Sequence, residues 1–301
     1  MIRRSTLLRI LLLLTAGLLF SISPRAAVAL PFDTVFKGRD RFDRLVTEAA
    51  AGNWSALPIG ERTATVGRAL TGTPYRGSTL EIDDRVEAPS ANLLGLDCWT
   101  FFETSLAFAR MLGEPRDKWT PETLLRYLEL DRYRGGHCTG SYLSRLHYLE
   151  DWAVDNQRRG LVEDLTRSLG GVAWPHSAQE MSILWRHYRY LRADPSLLPE
   201  LRQMEDRVST MPLYGIPVSR VAGIEGRLRD GDIIGIITRD SPGAYSTSHV
   251  GLAVRQPNGT LCFLHASAPH NYGRVLIESR LASYVRHYRT DAAIMVFRPV
   301  R

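Results

Sequence analysis

An α+β fold, with helices gathered ahead of a C-terminal antiparallel sheet, follows from three patterns in the chain. Apolar residues recur at helical spacing through the first part; the stretch from Pro115 to Met211 is helical, aromatic and arginine-rich; from Asp232 onward the period changes to strand alternation. Arg41 to Ala51 and Ile59 to Leu70 read as amphipathic helices, the second stopped by Gly72-Thr73-Pro74. Tyr75-Arg76-Gly77 marks a turn before a short extended piece from Leu80 to Val86. The next helix begins near Cys98, carries Phe102, Leu106, Ala109 and Leu112 at helical spacing, and ends at Gly113. Asp97 is placed to cap it, which sets the Cys98 sulfur in the first turn.

Within residues 115–211 the clearest helices are Ser141 to Asn156, Ala178 to Tyr190 and Leu197 to Val208, with no repeat and no long strand pattern. This block is expected to be a helical insertion between the cysteine helix and the sheet, packed beside the core as a layer or lid. Asp232 to Thr238, Ser248 to Gln256, Thr260 to Ser267, Arg274 to Ile277 and Ala292 to Arg298 read as strands, interrupted by a helix from Leu281 to His287.

The first 29 residues have the pattern of an export signal: Arg3, Arg4 and Arg9, an uncharged run from Leu11 to Ile22, then the small-x-small end Ala27-Val28-Ala29. The apolar run is short for a spanning helix, so the expected product is periplasmic or secreted, without stable membrane insertion after cleavage. Residues 30–301 are then a single catalytic domain, long enough for one large core. Removing residues 1–29, which hold four arginines and no acid, lowers the net charge from +6 to +2. That near-neutral balance, with no basic run standing out, excludes an electrostatic footprint for nucleic acid.

Three cysteines in an exported chain, Cys98, Cys138 and Cys262, allow one disulfide and leave one thiol. A Cys98–Cys138 bridge is the bland alternative and would abolish a nucleophile at Cys98. No Cys-x-x-Cys or His-x-x-x-His spacing points to a metal, and no cofactor is implied. A thiol at a helix start is favoured as thiolate by the helix dipole and the free amides there, and an imidazole can take its proton.

The imidazoles come from the sheet, and the turn Pro257-Asn258-Gly259 decides whether they meet. A two-residue Asn-Gly loop puts His265 opposite Leu252 and sends His249 and His265 to opposite faces. A three-residue loop, with Gly259 at the left-handed position, pairs Gln256 with Thr260, so that Gly251 faces His265 and His249 faces Ser267. This register gathers Val250, Leu252, Val254, Cys262, Leu264 and Ala266 on one apolar face. His249 and His265 become diagonal neighbours on the other. Gly251 and Ala253 leave room on the His249 face for the Cys98 helix. Cys98 as nucleophile, His249 as base and His265 as orienting group would carry acyl chemistry, with helix-start amides as oxyanion donors.

In order, Gly72-Thr73-Pro74-Tyr75, Asp97-Cys98, Gly231-Asp232-Ile233-Ile234, His249-Val250-Gly251 and a polar residue on the next strand, His265, resemble the NlpC-type cell-wall cysteine peptidases. Trp99-Thr100 after the cysteine and the long helical block depart from the common pattern. These departures, with Arg145-Leu146-His147-Tyr148 and Asp151-Trp152 to Asn156, are similar to the amidase-like branch of that family. The resemblance implies a permuted papain-like core whose antiparallel sheet packs on the cysteine-bearing helix. It also implies an N-acetylmuramoyl-L-alanine amidase, with peptidoglycan or muropeptides as partner and Tyr75 lining the cleft; the spacing itself implies only acyl chemistry.

Trp99 stands beside the thiol, and Tyr142, Arg145 and Leu149 share a face with Trp152 if residues 141–156 are one helix. Tyr142 and Arg145 would then be substrate-binding, Arg145 through a stem-peptide carboxylate, or simply part of a packed helix. Other readings of the same parts are a stem-peptide endopeptidase cutting between D-glutamate and the diamino acid, a thiol acyltransferase or lipid hydrolase, and an inactive binding module.

Overall fold

The computed structural model describes residues 30–241 and 244–300. The expected export signal, residues 1–29, lies outside the described residues. A short helix α1 (Phe32–Val35) leads into strand β1 (Phe36–Lys37), which pairs in parallel with β2 (Ala91–Asn92). Between them run α2 (Arg39–Ala51) and α3 (Ile59–Ala69), close to the ranges that periodicity predicts. Leu80 to Val86 is turn and loop rather than strand.

Helix α4 (Cys98–Met111) is the centre of the core: every residue from Thr100 to Met111 is buried. A helix apolar on one stripe only could not be enclosed on all sides. Here the buried polar members find partners, Glu103 on Arg132 and Arg110 on Asp131. Both partners lie on α5 (Pro121–Arg132), which starts with Thr120 as cap and proline in its first turn.

The block after α5 is less helical than its composition predicts. The expected helix from Ser141 to Asn156 is two pieces: a 3₁₀ turn at Tyr142–Ser144, then α6 (Leu149–Arg158). Arg145, between them, is extended at φ −72°, ψ 143° and bridges Tyr133, while the N–H of Leu146 donates to the Arg132 carbonyl. These backbone bonds to the end of α5 take the place of a helical turn. The strands β3 (Val162–Asp164) and β4 (Val172–Trp174) follow. The expected helix from Ala178 to Tyr190 is likewise broken, into α7 (Glu180–Ile183), a 3₁₀ turn and α8 (Arg189–Ala193), whereas α9 (Leu198–Ser209) matches its expected range.

The remaining chain is β5 (Leu213–Pro217), α10 (Val221–Ile224), β6 (Ile233–Ser241), β7 (Ala244–Arg255), β8 (Leu261–Ala266), β9 (Val275–Arg280), α11 (Leu281–His287) and β10 (Asp291–Pro299). Among the described residues they form an eight-stranded sheet in the order β4-β5-β10-β6-β7-β8-β9, with β3 added on β10. Pairings from β3 to β9 are antiparallel. One face carries Val250, Leu252, Val254, Cys262, Leu264 and Ala266 and packs on α3 and α4; the other carries Ala253 and Phe263 and packs on α10 and α11.

The hairpin register is the three-residue one. Leu252 pairs with Leu264 and Val254 with Cys262, the Gln256 N–H donates to the Thr260 carbonyl, and Gly259 sits at φ +84°. Beyond Leu252–Leu264 the two strands form no further pair. Ser267, expected opposite His249, instead donates its N–H to the Arg274 carbonyl, because the end of β8 follows β9.

Candidate active site

The cysteine is placed by its helix cap. Asp97 accepts from the Thr100 N–H at 2.8 Å, and the Thr100 hydroxyl reaches back to the Asp97 N–H at 3.0 Å, a reciprocal capping box. The cap engages the third N–H of the helix and leaves those of Cys98 and Trp99 without an intrahelical partner. Cys98, Cys138 and Cys262 are free thiols; the Cys138 sulfur bonds to the Glu87 carbonyl, and the Cys98–Cys138 bridge is not formed.

Helix α4 does not approach on the His249 face. Its side chains pack on the opposite face, against Leu252 and Leu264. The space expected beside Gly251 is filled: a Cβ there would stand 2.6 Å from the Leu264 carbonyl oxygen and 2.7 Å from the Phe263 ring. The helix instead meets β7 with its N-terminal end, where the N–H of Val250, next to His249, favours the thiolate. Burial nevertheless pushes the thiol up to about 12, with Asp97 adding to the rise and the amides of Val250, Trp99 and Cys98 opposing it. Cys98 is at rest a thiol, not a stored thiolate.

The two imidazoles meet on one face. His249 Nε2 lies 2.7 Å from His265 Nδ1, and His265 Nε2 lies 2.9 Å from a carboxylate oxygen of Glu278 on β9. The Phe263 ring stacks on His265 with centroids 4.7 Å apart, and Tyr284 of α11 closes on it edge-on. Burial, with His265 as second cause, lowers His249 to about 3. A neutral thiol therefore stands near a neutral imidazole, the protonation states from which general base catalysis starts. Among the described residues, no group of three or more potential ligands converges to hold a metal.

Tyr75 and Trp99 stand close to the thiol. The Tyr75 hydroxyl is pushed up to about 12, by burial first and then by Cys98 and Asp97, and its backbone bridges Leu96. Trp99 is half-buried, edge-on to Phe102 at 5.5 Å. Tyr142 and Arg145 are placed differently, because the helix expected to present them is absent. Both are buried, at 2% and 4% exposure. Arg145 pairs with Glu81 at 3.0 Å and lies 3.6 Å from Glu87, and the Tyr142 hydroxyl donates to Glu81. The Arg145 charge is already answered inside the protein.

Glu278 was not legible as a site residue. Finding it needs the β8–β9 register, and the turn from residue 267 to 274 carries no loop of fixed length to set it. Once Leu276 is known to pair with His265, period-two alternation puts Glu278 on the same face.

A family model described as N-acetylmuramoyl-L-alanine amidase-like, the AmiA-like family, matches residues 65–291, well over half of the chain. The chain belongs to the AmiA-like family. Among curated proteins no sequence matches. The AmiA-like chain is similar in structure to an N-acetylmuramoyl-L-alanine amidase from Bacteroides uniformis, at 26% identity and a TM-score of 0.71 over 81% of this chain and 99% of that one. It is also similar to a Bacteroides fragilis protein described provisionally as a xylanase, at 30% identity and a TM-score of 0.69 over 78% and 99%. A Legionella pneumophila protein at 21% identity and a TM-score of 0.65, over 87% and 95%, shares the fold. The mixed fold of helices and a large antiparallel sheet is thus common to structures named for amidase activity.

Proposed function

We propose that the protein is an exported, metal-independent thiol amidase of the NlpC type on a permuted papain-like core. It acts on peptidoglycan or its soluble fragments at the amide between the muramic acid lactyl group and L-alanine. One observation carries the thiol mechanism: a capped helix start delivers Cys98 to the Val250 amide beside a His249 whose other nitrogen is held by His265. The bond assignment rests on the family and on the B. uniformis neighbour.

Cys98 Sγ attacks the lactyl carbonyl carbon as its proton passes to His249 Nδ1. The amides of Cys98 and Trp99 receive the developing oxyanion. The carbon–nitrogen bond breaks, His249 returns the proton to the departing alanine nitrogen, and a thioester remains. Water, deprotonated by His249, attacks the thioester, releases the lactyl carboxylate and restores the thiol. His265 fixes the ring of His249 throughout, Tyr75 and Trp99 border the cleft, and Arg145 and Tyr142 support it from behind.

Glycoside hydrolysis, suggested by the B. fragilis description, needs two carboxylates free to act as acid and base or nucleophile. The carboxylates at this site are engaged, Asp97 in the cap and Glu278 on His265. Digestion of a defined muropeptide by the purified protein, followed by mass spectrometry with a Cys98→Ala control, tests the proposal. The expected products are intact sugar and whole stem peptide. Release between the second and third stem residues would make it an endopeptidase, and turnover retained in Cys98→Ala would remove the thiol mechanism.

A further inference from the structure

His249, His265 and Glu278 lie on one straight diagonal across three neighbouring strands. Extending the β7–β8 register one step past its last pair, Leu252–Leu264, sets Gly251, two residues beyond His249, opposite His265; in the β8–β9 register the partner of His265 is Leu276, two residues before Glu278. Diagonal neighbours on one sheet face are within reach of long side chains. The result is two linked contacts: His249 Nε2 to His265 Nδ1 at 2.7 Å, and His265 Nε2 to Glu278 at 2.9 Å.

We propose that Glu278 is a positioning residue that sets the tautomer of both histidines, so that His249 turns a bare Nδ1 toward the thiol. The inference rests on the reading of Cys98 and His249 as nucleophile and base.

Two neutral rings joined nitrogen to nitrogen have two proton arrangements. In one, His265 carries its proton on Nε2 and donates to Glu278; its Nδ1 then accepts from the Nε2 proton of His249, and His249 Nδ1 holds a lone pair. In the other both rings are reversed, His249 Nδ1 carries a proton and cannot act as a base, and a bare His265 nitrogen faces the carboxylate. An ionised carboxylate only accepts, so the second arrangement sets lone pair against lone pair at 2.9 Å. The choice made at β9 passes through His265 to the nitrogen that takes the cysteine proton. When His249 becomes imidazolium, the same chain places the Glu278 charge one ring away.

The decisive substitution keeps the shape and changes the donor. In Glu278→Gln the amide NH₂ can donate to His265 Nε2, which reverses both rings without emptying the site. Nitrogen-15 spectra of histidine-labelled full-length protein near neutral pH read the tautomers directly, with His249→Gln and His265→Gln used to assign the signals. The expected wild-type pattern is a bare Nδ1 and protonated Nε2 on both rings, reversed in Glu278→Gln and restored in Glu278→Asp. On a muropeptide substrate kcat is expected to fall on the order of 10⁴-fold in Glu278→Gln, the loss seen when a triad carboxylate becomes its amide. A protonated Nδ1 on His249 in the wild type, or a spectrum unchanged by Glu278→Gln, overturns the inference. Wild-type protein inert on muropeptides, yet with the expected tautomers, counts against the function and not against Glu278.

Discussion

Two clusters of buried ionisable side chains flank the first turn of α4, and they are finished differently. In the first, Glu103 and Arg132 pair at 2.7 Å with no exposed surface, Arg132 also donates to the Ser90 carbonyl, and Arg145 is held by Glu81 while Tyr133 donates to Glu87. In the second, His249, His265 and Glu278 form a chain that ends on an imidazole nitrogen, His249 Nδ1, with no hydrogen-bond partner among the described residues. Charge and burial are common to both. The arginine cluster sets each guanidinium against a carboxylate and holds loops to helices, although Glu87 Oε2, Glu103 Oε1, Arg132 Nη2 and Arg145 Nε have no hydrogen-bond partner among the described residues; the histidine chain ends on an imidazole nitrogen, near a thiol. On the proposed mechanism, what separates the two is neither burial of charge nor an unpartnered atom by itself but an unpartnered imidazole nitrogen next to a thiol.

The sharpest break between the two regions is expected from Cys98→Ala. Amide turnover should fall by roughly 10⁴-fold or more, as for loss of a nucleophile acting in a unit. The melting temperature should move by less than about 4 °C, the scale of 1 kcal/mol in a domain of this size. Single-turnover muropeptide cleavage and a thermal scan check both; a large melting shift would place Cys98 in the scaffold.

Glu103→Ala should do the opposite. It leaves Arg132 buried without its carboxylate, and removing one partner of such a pair costs about 3–5 kcal/mol. Urea titration should show the loss in midpoint, while kcat per folded molecule stays near wild type. Loss of kcat at unchanged stability would move Glu103 into the site.

Arg145→Met probes the border between the clusters with a smaller effect. If its charge serves only Glu81 and Glu87, stability falls by about 3 kcal/mol and KM holds for every stem peptide. A KM that rises only for substrates with a free stem carboxylate would return Arg145 to substrate binding.

These contrasts follow how far each region could be read from sequence. The α4 start and the His249–His265 pairing were legible because short-range patterns decide them: a capping Asp97 at the head of an apolar helical run, and a Pro-Asn-Gly turn whose three-residue form gathers one apolar face. Tyr142 and Arg145 were misplaced because residues 141–148 satisfy a helical pattern, yet the backbone there bonds to the end of α5, a contact made by tertiary packing. The side on which α4 docks was missed for a similar reason. Gly251 looks open until the Phe263 ring and the Leu264 carbonyl are in place.

The smallest expected effect is on pH dependence, and it tests whether the unpartnered imidazole nitrogen is already a base at rest. His249 must be neutral to accept the thiol proton. Its pKa is lowered to about 3, so it stays neutral well below the usual imidazole range, and activity is lost only as pH falls through the lowered value. His265 on β8 is in contact with it, Glu278 on β9 and Tyr284 on α11 lie against His265, and Cys98 on α4 stands at the amide of the next residue, Val250. The acid limb of kcat/KM, measured with a neutral amidated muropeptide so that substrate carboxylates do not titrate, should therefore lie below pH 5. A limb near 6.5 would mean that His249 is solvated in the working enzyme, and that its histidine chain is as open to water as a surface pair.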